Sequence, residues 1–329
     1  MSKLRPVPDG GLVEPTALAD VSDEARRAQA DAEAAALASD VEVREMTRAA
    51  EHQAAEDLLA RVWSADPLRS PLPAHVTRTL ALIGGYVAGA YEADGELLGA
   101  AAGFLTGNTA ELGPAHLHSH IAGVAEAARS RHVGFALKLH QRAWALSRGI
   151  TQVTWTFDPL VARNAYFNLS KLGARAVAYL ADFYGDMSDG INAGQGSDRL
   201  LAQWDLSSES TLLAIHDKHA SPDLAEVGLA RLAGPGRLAL SRDARGAPQL
   251  VDPIRTGNEP LACAVPADIE LMRREDPRLA LAWRQAVRAA LGGAMRAGYR
   301  VDGFARPGYY LLQPGTEYHR LDGGSQEAE

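Results

Sequence analysis

Three histidines, His116, His118 and His120, alternate with Leu117 and Ser119 in the middle of the chain, and Ile121 to Val124 completes the apolar run. An extended backbone sends residues i, i+2 and i+4 to one face, so the spacing predicts three imidazoles on one side of a strand. An imidazole titrates near pH 6.5, which makes a general base one reading and a core or rim histidine with satisfied hydrogen bonds the other. No metal is expected, because positions this close on one strand give poor tetrahedral geometry and no acidic residue is near in sequence. A basic turn follows, Arg129-Ser130-Arg131-His132-Val133-Gly134-Phe135. A strand, a basic turn and a glycine opening a helix gather unpaired backbone N–H groups and partial positive charge where an anion can approach closely. That chemistry suits a pyrophosphate. The alternative is an ordinary loop with two solvated arginines. Cys263, in the apolar run 261–265, reads as inert core. Ser119 lacks the sharp turn that would expose a nucleophile.

The elements that position these residues are legible from periodicity. Residues 41–44 alternate like a strand, and 52–63 carry helical spacing at Ala55, Leu58, Leu59 and Val62. A helix is predicted from Pro73 to Ile83, then two strands joined at Ala93-Asp-Gly95-Glu, a hairpin signal. After the histidine strand comes a helix with Val133, Leu137 and Trp144 on its apolar face, Lys138 and Arg142 opposite, and Gly149 as C-cap. A strand (150–157), a helix (160–172) ended by Gly173, and strands at 174–183 and 199–206 complete an order β-α-α-β-β-β-α-β-α-β-β. Further on, an apolar strand at 261–265 precedes a helix whose buried face is Trp283, Val287, Ala290, Leu291 and Ala294.

Composition narrows the class. The 329 residues are 47% hydrophobic and 22% charged, an ordinary globular balance. A net charge of −8 argues against nucleic-acid binding. No apolar run is long enough to span a bilayer, and Met1-Ser-Lys-Leu-Arg-Pro has no signal-peptide core, so the expectation is a soluble, cytoplasmic protein without a membrane partner. One cysteine excludes an intramolecular disulfide framework. Residues 1–38 are expected as a disordered tail or a loosely docked helix, 39–206 as the main domain, and 207–329 as a smaller region packed on it, with a disordered end.

The element order and the basic turn together resemble the GNAT acyltransferase superfamily. Its signature, Gln/Arg-x-x-Gly-x-Gly/Ala, matches Arg131-His-Val-Gly134-Phe-Ala136 letter for letter. Arg129-Ser-Arg-His132-Val-Gly134 better fits the usual spacing from the strand's end and is preferred, with His132 in place of the first glycine. Leu117-His-Ser-His120, Leu137-Lys-Leu-His-Gln-Arg142, Trp155-Thr-Phe-Asp-Pro-Leu160, Arg163-Asn-Ala165 and Lys171-Leu-Gly173 look like a largely uncharacterised bacterial group with an added C-terminal region. Some of that group are associated with N-succinylation of amino acids.

The resemblance implies an α/β (α+β) fold with a mixed, V-splayed sheet flanked by helices and a second, smaller α+β region. It implies acetyl-CoA or another acyl-CoA, such as succinyl-CoA, as co-substrate, and a small-molecule amine as acceptor. Direct attack would occur in a ternary complex. Val124 would pair with pantetheine amides, and Arg129, Ser130, Arg131, His132, Val133, Gly134 and Phe135 would wrap the pyrophosphate. His120 is the preferred base and His118 the second. The family's tyrosine acid falls at Leu169, so Tyr166, one turn earlier, is the substitute. Asp158, Asn164 and Asn168 are expected at the acceptor, with helix capping by Asp158 the alternative. A non-catalytic acyl-CoA-binding module is the rival function, and a homodimer is left open.

Overall fold

Alanine and glycine dominate the strands β2 (Tyr86–Tyr91) and β3 (Leu97–Leu105) because helices cover both faces. On one face, α2 (Ala49–Val62) and α3 (Ala74–Leu82) bury Ala55, Leu58, Leu59 and Leu80 against Val87, Ala100 and Ala102. On the other, α4 (Val133–Leu146) lays Val133 and Leu137 onto Leu98 and Ala101. Helix and sheet come so close that a Cβ on Gly123 would lie 2.9 Å from Leu59 Cδ2.

The computed structural model describes residues 15–63, 70–108, 114–185, 195–216, 238–251 and 259–315. The remaining elements are α1 (Pro15–Ala38), β1 (Glu42–Glu45), β4 (Leu117–Val124), β5 (Gln152–Phe157), α5 (Ala162–Ala165), β6 (Arg175–Leu180), β7 (Arg199–Asp205) and α6 (Glu209–His216). There follow β8 (Leu238–Arg242), β9 (Pro248–Leu250), β10 (Leu261–Ala264), α7 (Ile269–Glu275), α8 (Pro277–Val287), α9 (Gly293–Arg296), β11 (Tyr299–Ala305) and β12 (Tyr309–Pro314). The mixed sheet runs β1-β2-β3-β4-β5-β7-β6-β11-β12-β10-β8-β9. Among the described residues, no helix is long and apolar enough to cross a membrane.

Three findings depart from the sequence pattern. First, α1 docks on α4 and buries Ala28 and Ala32. Few large apolar side chains are needed, because alanines let the two helices approach closely. Asp31 Oδ2 adds a 3.1 Å ion pair to Arg142. Second, α4 is buried nearly all round. Lys138 and Arg142, expected on its polar side, are inside: α1 covers Arg142, which pairs with Asp31, and Lys138 turns to the sheet, where it meets Ser119 and Trp155. Third, the strands beyond 206 extend the same sheet, with β11 joining β6 through one backbone pair, Val301 with Ala176. The Trp283 helix is buried as its spacing predicts, and Trp283 Nε1 donates to Gly246 O at 3.0 Å. The expected disorder at the C-terminal end, and the first 14 residues of the N-terminal segment, lie outside the described residues.

Candidate active site

Strand β4 pairs along its length with β3, but parallel with β5 at only two positions, Leu117 with Val153 and His118 with Thr154. Beyond them the strands part. The cause is local: β4 slips against β3, with Ala102 facing Ile121 and Gly103 facing Ser119, so His120 is the extra residue of a bulge. A bulge bends its strand and sharpens the twist. Strand β5 meanwhile continues straight, paired with β7 as far as Phe157 and Leu200.

The three histidines therefore have different surroundings. His116 is buried, its Nδ1 3.0 Å from Thr106 Oγ1 and 3.1 Å from Pro114 O. His118 stands at the last β4–β5 pair, its Nδ1 3.0 Å from Thr154 Oγ1. Burial holds its pKa down at about 4, with repulsion from His120, His116 and Lys138 adding to the effect. His120 is exposed on the parted side, its ring edge-on to Phe104 at 5.3 Å. Partial desolvation lowers its pKa too.

At the far end of β4, a 3₁₀ turn (Glu126–Ala128) leads into α4, whose N-cap is His132 at φ +61°. A left-handed backbone is glycine's conformation. His132 holds this conformation without being glycine. Phe135 and Ala136 donate to the His132 carbonyl at 2.9 and 3.1 Å. The N–H groups of Val133 and Gly134, in the first turn, have no intrahelical acceptor. A Cβ on Gly134 would meet only Val124 Cγ2, at 3.7 Å, so packing does not demand glycine there. Arg129 and Ser130 are exposed. Arg131 turns away: it is bonded to Glu92, and its Nη2 donates to Asp40 O at 3.2 Å. One of the two arginines expected on the pyrophosphate is committed elsewhere.

The expected acceptor residues are not brought together. Asp158 is partly buried, accepting from Arg284 at 2.8 and 2.7 Å, from Arg273 at 2.6 Å and from Leu160 N at 2.9 Å. The two guanidiniums hold its carboxyl far below the usual range, against the opposing effect of burial. It has no capacity left for a ligand. Asn164 and Asn168, expected at the acceptor, are set apart by a π-turn at Tyr166–Lys171, which leaves Asn168 buried and Asn164 half-exposed. Tyr166 is half-buried beneath the Arg306 guanidinium, 4.3 Å from its ring centroid. Leu169 is buried.

Two groups at the opening escaped the sequence reading. Tyr184 Oη lies 3.1 Å from Thr156 Oγ1, two residues along β5 from the Thr154 that holds His118. Lys138 reaches from α4 to the point where the strands part, donating to Ser119 Oγ at 2.9 Å. The only sequence signal for Lys138 was a lysine within an otherwise apolar helical stretch.

No family model matches the chain, and no curated protein matches it. Among solved structures, it is similar to yncA, described as a putative acetyltransferase from Salmonella typhimurium with acetyl-CoA. That pair is 17% identical over 56% of this chain and 98% of the other, with a TM-score of 0.42. A GNAT superfamily phosphinothricin acetyltransferase from Sinorhizobium meliloti, also with acetyl-CoA, is 14% identical over 50% and 87%, at a TM-score of 0.40. A putative GNAT acetyltransferase from Desulfovibrio desulfuricans is 18% identical over 51% and 99%, at 0.38.

Proposed function

We propose that this protein is an acyl-CoA-dependent N-acyltransferase that moves an acetyl or succinyl group to the amine of a small molecule. The observation that carries this is a single line of binding groups. The open N-terminus of α4 lies beside the end of β4 at Val124, and the free edge of β4 runs back to the parting at His118. At about 3.3 Å per residue, that edge is about 20 Å long. It suits a ligand with an anionic pyrophosphate at one end, an amide-bearing arm and a reactive group at the other.

When bound, acyl-CoA supplies a thioester carbonyl to amine attack and a thiolate that departs. The protein's part is to hold and to move one proton. Val133 and Gly134 present N–H groups to the phosphates at the positive end of the helix. Arg129 adds charge from the exposed rim. The backbone amides of β4 beyond His118 pair with the arm. His120 takes the amine's proton: it is exposed on the open side, and its lowered pKa leaves it neutral, and so able to accept, at neutral pH. His118, fixed by Thr154 and held at about 4, is a weak proton acceptor and lines the floor. No dedicated acid is assigned to the thiolate, since Leu169 carries no hydroxyl and Tyr166 is stacked under Arg306.

The test is calorimetry with acetyl-CoA and succinyl-CoA, followed by thiol release on adding a panel of amines. Binding with amine-dependent release supports the proposal. Binding without release from any amine favours the non-catalytic module. Failure of both acyl-CoAs to bind at millimolar concentration overturns the site.

A further inference from the structure

Lys138 is 7% exposed, in the layer between α4 and the sheet. Burying an ammonium is costly unless an anion pairs with it. Its partners are Ser119 Oγ at 2.9 Å, Gln141 Oε1 at 3.0 Å and the face of Trp155, whose ring centroid is 4.0 Å from Nζ. None is an anion. The donors around it are also in surplus: among the described residues, Gln141 Nε2 has no hydrogen-bond partner, and neither has Nε1 of Trp204, whose ring meets Trp155 at 6.0 Å.

The position is as telling as the charge. The last β4–β5 pair is His118 with Thr154, so Ser119 and Trp155 are the first residues on the parted side of each strand. One ammonium touches both. Resting on the acyl-CoA reading above, we propose that Lys138 is a positioning residue: it braces Ser119 against Trp155 where the strands part, and its charge favours the negative charge that develops on a thioester carbonyl oxygen in the cleft. The bond changes remain those of direct aminolysis. The C–N bond forms, the C–S bond breaks with its electron pair left on sulfur, and the amine's proton goes to His120. Lys138 neither gives nor takes a proton during the step. A fixed charge in a dry site acts without reorganising.

The charge can be switched off without mutation, because desolvation holds the Lys138 pKa at about 7. Polar and ionisable groups around it are Gln141 on α4 and Ser119 and His118 on β4, while Arg142, one turn further along α4, is paired with Asp31. The facing elements β5 and β7 contribute Trp155 and Trp204.

The experiment is infrared difference spectroscopy of acetyl-CoA, ¹³C-labelled at the thioester carbonyl, bound to the full-length protein and to Lys138→Met. The expected result is a carbonyl stretch lowered on binding, with a shift at least about twice as large in the wild type as in the variant. The wild-type shift fades as pH rises from 6 to 8.5, and that of the variant does not. Equal, pH-independent shifts in both proteins overturn the role of Lys138 while leaving the acyl-CoA site standing. Absence of acetyl-CoA binding to the wild type overturns that site and this inference with it. If Lys138→Met does not fold, the wild-type pH series decides alone: fading supports the inference and a flat series overturns it.

Discussion

Arg284 and Lys138 are both cations sunk into the protein, 1% and 7% exposed, and they are treated in opposite ways. Arg284 grips Asp158 with two bonds, shares it with Arg273, and gives its Nε to Gln195 O at 3.1 Å. Nearby, Arg288 is bonded to Asp198, which also accepts from Tyr179 Oη at 2.6 Å. Every charge there is matched, and the effect is architectural: the knot ties α7 and α8 to the end of β5. Among the described residues, Lys138 has only neutral partners. A milder division runs through the candidate site: Arg131 is committed to Glu92, whereas Arg129 is exposed and pairs only at 3.8 Å with Glu126, and His118 is fixed by Thr154, whereas His120 is open. Tightly matched charge holds the frame, and loosely matched charge is left where a ligand can use it.

The contrast can be broken first at its strongest point. Asp158→Asn strands two buried guanidiniums and should cost about 3–5 kcal/mol in denaturant unfolding. A loss under about 1 kcal/mol would show that the knot is not held by charge. Next in size, His120→Ala should lower kcat by about 10²-fold, equal to about 2.7 kcal/mol, with little change in acyl-CoA affinity. The wild-type rate should rise with pH through the acid range as the imidazole loses its proton, and this limb should vanish in the variant. His118→Ala showing the larger loss of kcat would reverse the assignment of the two histidines.

Lys138→Met should have the opposite sign from Asp158→Asn, a gain of about 2 kcal/mol at pH 6. The folded pKa, about 7, lies below the ordinary lysine value, so between the two the unfolded chain binds more protons and wild-type stability rises with pH. The advantage of the variant should therefore shrink from pH 7 towards pH 10. Thermal melts across that range decide it, and a variant that is less stable at pH 6 sinks the idea. The smallest effect separates the arginines. Arg129→Glu should weaken acetyl-CoA binding about tenfold, or 1.4 kcal/mol, whereas Arg131→Glu should affect stability more than affinity. Calorimetry giving the larger affinity loss for Arg131→Glu would contradict the geometry.

Much of the frame could be read in the chain because it is locally encoded. Gly95 turns the β2–β3 hairpin at φ +92°, and the spacing of Trp283, Val287 and Leu291 marks a buried helix face. What escaped depends on contacts distant in sequence. Asp158 looked available because Arg273 and Arg284 lie 115 and 126 residues further on. Asn164 and Asn168 looked like neighbours because a π-turn has no simple signature in residue types. Nothing in the residues around Lys138 signals that its ammonium turns to Ser119 and Trp155 on the sheet, and the alanines of α1 give no sign that this helix covers Arg142.

The single backbone pair between β6 and β11 has a mechanical consequence. A ladder of one rung resists shear poorly, whereas β11 is zipped to β12 along most of its length. The two parts of the sheet are two plates meeting at a seam, with the Asp158 and Asp198 ion pairs as its stays. Pulled across the sheet, the molecule should yield at that seam before either plate unravels, and the first extension in a force trace should match release of the distal plate as a unit.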